Sequence, residues 1–270
     1  AGRYVYEDRW GGEMDWTDEY RGGDEIYGES IYTNRWEVFG LYQLPLKETV
    51  NFQFSANGHS QNSVYGNVFY LADQYIGFGQ LTWNKKVNRH DMLVGSAYRY
   101  TYYDDNTPAT FNAIADTNQA SIIHLPGLFI QDEISLNEFN KVLLGVRYDY
   151  NSLHGNIFTP RINYKWNTAN KKNVLRISAG NGYRVANVFT EDHAALTGAR
   201  TVEFQGELDP ETSWNANVNF VKRIYTKNNG VVGIDATAFY TYFTNRILPD
   251  YESDPNKIIY GNLDGYSVSK

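Results

Sequence analysis

The chain has 270 residues, no cysteine, seven prolines, 43 aromatic residues and a net charge of −7. No window approaches the roughly eighteen consecutive apolar residues of a helical membrane span, and the first residues lack the basic-then-apolar layout of a secretory signal. The missing cysteines exclude a disulfide scaffold and thiolate metal sites, the aromatic content excludes a disordered chain, and the acidic balance argues against a nucleic-acid partner.

Residues 1–30 hold nine carboxylates against three arginines, so residues 31–270 come to only −1. Rich in glycine and aromatics without alternation, this stretch reads as a long acidic loop or arm that begins nothing regular. Glu13, Asp15 and Asp18, with Glu19, Asp24 and Glu25 behind them, supply oxygen ligands suited to a hard cation such as calcium. Their spacing is not that of an EF-hand, and a solvated loop bridged to lipopolysaccharide through divalent ions is the plainer reading.

From Ile31 onward the dominant signal has period two, which predicts antiparallel strands. Strands are expected over 31–42, 50–59, 72–83, 91–103, 125–134, 142–150, 158–166, 174–184, 213–220 and 232–242, with short pieces near 258–262 and 265–269. In 50–59, Val50, Phe52, Phe54, Ala56 and Gly58 share one face, while Asn51, Gln53, Ser55, Asn57 and His59 share the other. Trp214, Val218, Phe220, Val232 and Ile234 repeat the apolar face later in the chain, opposite Asn215 and Asn217. The faces of 72–83 and 91–103 stay ambiguous.

Connections at 43–48, 84–90, 135–141, 167–173 and 223–230 are short and polar. Those at 60–71, 104–124, 185–212 and 246–257 are longer, and only 151–157 breaks the alternation. A membrane-spanning β-barrel alternates tight turns and long loops in this way, whereas a soluble sandwich has no reason to. Aromatic residues near strand ends, among them Trp36, Tyr42, Trp83, Tyr100, Tyr148, Trp166 and Trp214, match the girdles of such a barrel.

Four ordered segments then carry a family resemblance: Gly145-Val-Arg-Tyr-Asp149, Thr159-Pro-Arg-Ile-Asn-Tyr-Lys-Trp166, Leu175-Arg-Ile-Ser-Ala-Gly-Asn-Gly-Tyr-Arg184 and Leu208-Asp-Pro-Glu-Thr-Ser-Trp214. They resemble TonB-dependent outer-membrane receptors, particularly those of Bacteroidetes-type bacteria, over about residues 128–268. Thr159 departs from the usual serine, and Ala186 from a frequent proline. The resemblance implies an all-β fold, a transmembrane antiparallel β-barrel of which this chain holds about 12 of 22 strands, and a bacterial outer-membrane location. It also implies a plug domain and a TonB-interacting segment, neither of which is recognised here, so the chain is expected to be an internal piece of barrel. On that reading residues 1–30 are an extracellular loop and 31–270 the partial barrel.

Within this frame Gly145, Arg147 and Asp149 fall on the lumenal face of their strand. Arg161, Lys165, Arg176, Arg184 and Glu211 are expected to join them in ion-pair ladders. Pro160 and Pro210 are expected at strand starts, where a missing donor costs least. His193 lies where haem receptors of the family often place a ligand, but Leu208-Asp-Pro-Glu replaces the N-P-N/D-L box, which favours a packed loop residue. Tyr102, Tyr103 and Asp104 climb toward a long loop and are candidates to meet cargo at the barrel mouth. The five histidines show no metal-ligand spacing, and no nucleophile elbow or phosphate loop is present, so neither an enzyme nor a bound cofactor is expected.

The resemblance implies import of a scarce nutrient such as a ferric siderophore, cobalamin or another metal chelate. The implied partners are the inner-membrane TonB complex, outer-membrane lipid and the cargo. A complete passive barrel or adhesin, and a soluble glycan-binding β-protein, are the rival readings.

Overall fold

The computed structural model describes residues 1–112, 115–185, 195, 200–206, 208–226, 230–263 and 265–270. Among these, every regular element is a strand except one 3-10 turn at Asp18–Tyr20. The first five strands are β1 (Gly2–Gly12), β2 (Gly28–Gln43), β3 (Thr49–Tyr65), β4 (Val68–Val87) and β5 (His90–Asp105). A small hairpin follows, β6 (Phe111–Asn112) with β7 (Thr117–Asn118), then β8 (Ser121–Ser135), β9 (Asn140–Asn151), β10 (Gly155–Asn167) and β11 (Asn173–Arg184). The remainder are β12 (Thr201–Phe204), β13 (Glu211–Tyr225), β14 (Val231–Asn245), β15 (Ile247–Asp250), β16 (Lys257–Asn262) and β17 (Ser267–Ser269).

Twelve strands form one sheet in chain order, β1 to β5, β8 to β11, β13, β14 and β17, about the expected number, although the strand expected near 258–262 lies in a separate sheet and Gly2–Gly12 is added. Every neighbouring pair is antiparallel, so each strand reverses on the one before it. Two sequence expectations are corrected. The arm does begin something regular, because Gly2–Gly12 pairs with β2 along its whole length and only residues 13–27 form the connection. The expected long connection at 60–71 is a two-residue turn, Gly66-Asn67, between strands that pair up to Tyr65↔Val68. Gly66 takes φ +60°, which a Cβ-bearing residue adopts only at a cost.

Register sorts the side chains into two faces. Val50, Phe52 and Phe54 of β3 lie beside Trp83, Leu81 and Gly79 of β4, on the face that also carries Trp36 and Val38 of β2. In β4 this apolar face runs Trp83, Leu81, Gly79, Gly77, Tyr75 and then turns polar at Asp73, with Lys85 at the other end. In β13 it runs Phe220, Val218, Ala216, Trp214 between Lys222 and Thr212. The same outward step falls at Asn34 of β2, Ser60 of β3, Asp104 of β5, Asn156 of β10 and Asn181 of β11. An apolar stretch of about nine residues, closed by aromatics at both ends, is the span a tilted strand needs to cross hydrocarbon.

The two ambiguous strands are settled by pairing. β5 places Val94, Ser96, Tyr98, Tyr100 and Tyr102 with the apolar faces of β4 and β8, leaving Leu93, Ala97, Arg99 and Tyr103 opposite. Glycines on the apolar face of β4 (Gly77, Gly79), and Ile76 and Phe78 on its polar face, hide the alternation from sequence. Phe52, Phe54, Trp214, Val218, Val232 and Ile234 are all exposed, so the apolar face meets an outside and is no dry core.

Among the described residues one sizeable buried cluster is found, at the long-loop end. Tyr65, Tyr70, Ala72 and Tyr103, from β3 to β5, pack with Ala195, Val202, Ile258 and Tyr260. Val202 and the last two belong to a separate three-stranded sheet, β12-β16-β15, built from the connections on either side of β13 and β14. That small sheet joins the polar side of β3 to β5 to loops carried by β11, β13 and β14.

Candidate functional site

The polar face of the large sheet is a wall of hydrogen-bonding and charged groups. Arg147 grips Asp149 through Nε and Nη2, both at 2.6 Å, while its guanidinium stacks over Phe129 with its carbon 5.5 Å from the ring centroid. Asp149 is buried against Gly127, where an added Cβ would stand 2.0 Å from the carboxylate oxygen. A side chain is therefore forbidden at 127 if the clamp is to close. Gly145 similarly lies under the Arg161 side chain.

Arg184 and Glu211 are directly opposed across β11 and β13 and form an ion pair at 2.6 Å. The second Glu211 oxygen accepts the backbone N–H of Ile247 at 3.1 Å, tying β13 to the start of β15. Two further arginines of the expected ladder meet amides within this wall. Arg161 donates to the amide oxygen of Gln131, and Arg176 to that of Asn219 at 2.9 Å, so neither is neutralised by a carboxylate. Asn219 in turn donates to Asp235 at 2.6 Å. An amide thus stands between the Arg176 guanidinium and the Asp235 carboxylate, and Arg161 likewise meets an amide. Arg99, on the same face of β5, is exposed.

The mouth candidates divide by parity. Tyr102 and Asp104 lie on the outward face, where the Tyr102 ring is tilted against Tyr75 with centroids 5.7 Å apart and its hydroxyl donates to Asp104, and Asp104 also accepts from Asn118 at 2.6 Å. Tyr103 lies on the polar face but is buried beneath the β12-β16-β15 sheet. Its hydroxyl lies 3.0 Å from that of Tyr70 and donates to Asp105, whose other oxygen accepts from Thr107 and Thr110. This buried chain fastens the connection after β5 to the wall and is not legible in the sequence, because Tyr70 meets Tyr103 only through the pairing of β4 with β5 and Thr110 meets Asp105 only through the fold of the loop.

His193 and Ala186 lie outside the described residues. Glu13, Asp15 and Asp18 are not gathered: among the described residues no group of three or more His, Asp or Glu side chains is placed to hold a metal ion. Glu13 instead caps the 13–27 connection, its carboxylate accepting the N–H of Tyr27 at 3.2 Å. Trp16 of that connection is buried over Gly28, and Arg21 reaches Ser30 and Asn62.

Pro210 directly precedes β13, as expected, but Pro160 sits inside β10. There the pairing with β11 ends at Arg161↔Gly180, next to the residue that brings no N–H. Beyond it the two strands part around a cleft of about 340 Å³ lined by residues of both, and by Asp209, Pro210, Thr212 and Asn245. Side chains bridge the gap: Asn181 donates to the Phe158 carbonyl at 3.0 Å and Asn151 to the Tyr183 hydroxyl at 2.9 Å.

Comparison with known proteins agrees with this geometry. An iron-regulated outer membrane virulence protein of Vibrio cholerae is 26% identical over 163 residues, which are 60% of this chain and 24% of that protein, so the chain spans about a quarter of its relative. The siderophore receptor PirA of Pseudomonas aeruginosa superposes with a TM-score of 0.64 at 14% identity, over 90% of this chain and 46% of that one. The outer membrane transporter YddB of Escherichia coli gives 0.56 at 15% identity, over 97% and 40%. These structures establish the fold, and a family model described as TonB dependent receptor-like, beta-barrel, matches residues 2–270. The chain belongs to the TonB-dependent receptor-like β-barrel family, its apolar face turned to the lipid of the bacterial outer membrane and its polar face to the lumen.

Proposed function

We propose that this barrel wall serves a transport receptor, not an enzyme, that takes an iron chelate of the siderophore class across the outer membrane with energy delivered by TonB. The observation that carries the cargo class is the lumenal wall itself. Arg161 and Arg176 spend their hydrogen bonds on amides, and Arg99 stands exposed on the same face, three strands from Arg161 on β5, so the wall offers guanidiniums to an anionic chelate. The names of the relatives, an iron-regulated protein and a siderophore receptor, point the same way. The β12-β16-β15 sheet, docked on β3 to β5, is placed to roof the entrance to that wall.

The test is growth of a host lacking its own iron-chelate receptors, carrying the whole receptor gene, on ferric siderophores as sole iron source. Growth that requires both the gene and TonB supports the proposal. No growth on any ferric siderophore supplied, or growth that persists without TonB, rejects it.

A further inference from the structure

The cleft between β10 and β11 is absorbed neither by the lumenal wall nor by the lipid-facing band. It opens at a defined height. Asn156, Asn181 and Thr212 are the residues at which the outward faces of β10, β11 and β13 change from apolar to polar, so the cleft lies where hydrocarbon gives way to headgroups on the long-loop side. Its volume of about 340 Å³ falls at the lower end of the roughly 300–1,000 Å³ typical of ligand sites.

The lining selects the ligand chemistry. It combines amides and hydroxyls, Asn156, Thr159, Asn181 and Thr212, with the His154 imidazole, the Asp209 carboxylate and the ring of Phe158, which is 61% exposed. Asn156 accepts from Tyr148 through its Oδ1 at 2.7 Å, which leaves its two amide N–H groups to donate. Among the described residues no lysine or arginine lines the cleft, and the nearby Arg184 is paired with Glu211, so a phosphate meets the Asp209 carboxylate and the His154 imidazole but no permanent cation there. Groups that both donate and accept, set beside an exposed aromatic face, suit vicinal hydroxyls and the C–H face of a pyranose. The opening also has a cost that a continuous ladder would not carry, since Asn181 Oδ1 is buried without a donor.

We infer that the gap between β10 and β11 is a saccharide-binding site in the barrel wall, taking a sugar of an outer-leaflet glycolipid headgroup. The experiment uses the whole receptor in detergent, titrated calorimetrically with lipopolysaccharide and, separately, with its deacylated core oligosaccharide. The variants are Asn156→Ala and Phe158→Ala, both outside the lumenal wall, with heat-modifiable migration as the check on folding. The site predicts that both ligands bind the parent protein, and that each folded variant binds both about tenfold more weakly, the loss of roughly 1.4 kcal/mol of contact. Lipopolysaccharide binding without oligosaccharide binding overturns the inference, because acyl chains alone then explain it. Unchanged affinities in both folded variants overturn it as well.

Discussion

At the scale of single residues, the lumenal wall depends on atoms that are absent as much as on those present. Gly127 is the clearest case, because a methyl group there occupies the place of the Asp149 carboxylate. Gly127→Ala should therefore open the Arg147–Asp149 clamp and leave a buried carboxylate poorly paired, destabilising the folded barrel by about 1–3 kcal/mol. Urea unfolding in detergent micelles reads this directly, and an unchanged midpoint would show that the clamp contributes nothing. Tyr27 offers a pH-dependent counterpart in the loop. Its hydroxyl donates to Glu29 at 2.7 Å, and that bond, helped by burial, raises the phenol to about 12. The fold holds the neutral form, so the stabilisation is whole below the ordinary value of 10.0 and is lost as pH rises through about 12. The phenolate absorbance of the parent minus that of Tyr27→Phe should show a group titrating near 12; titration near 10 would mean the bond to Glu29 is not kept.

At the scale of elements, alternation decides what each strand tolerates. Val218 faces lipid midway along its apolar run in β13, while Asn217, next to it, faces the lumen. Val218→Arg is expected to cost roughly 2–4 kcal/mol in a bilayer, whereas Asn217→Arg should cost less than about 1 kcal/mol. Folding titrations into lipid vesicles distinguish them, and equal costs would refute the sidedness on which the transport reading rests. Much of this was readable beforehand, because period two in β3, β13 and β14 survives any error of a residue or two at the ends. The β3–β4 turn is shorter than the expected loop, although Gly66-Asn67 is itself a hairpin signal, because polar residues 59–63 imitate a loop in composition while pairing within β3 above the apolar band. β4 runs for 20 residues, far more than a bilayer requires, and its outer third lies above the apolar band. Composition alone cannot tell a strand standing in water from a loop.

At the scale of the whole molecule, the buried cluster at the mouth joins segments more than 130 residues apart, such as Tyr65 to Val202. Ile258 is only 2% exposed at its centre. Ile258→Ala should cost about 2–5 kcal/mol of local packing and free the β12-β16-β15 sheet from the wall. Limited proteolysis should then cut within 246–257 faster while the barrel keeps its heat-modifiable migration, and parent-like cleavage would show that the small sheet is held by something else. The sequence by itself determined most of the strands, the two faces of those with clear alternation, and the family, since each follows from local alternation and ordered motifs. Only the tertiary structure decided that Tyr102 and Asp104 look outward while Tyr103 is covered, that Arg161 and Arg176 meet amides, and that β10 and β11 part beside Pro160. The reason is physical: alternation states which residues share a face, whereas partners across strands depend on register, and register is set by pairings that no local stretch contains.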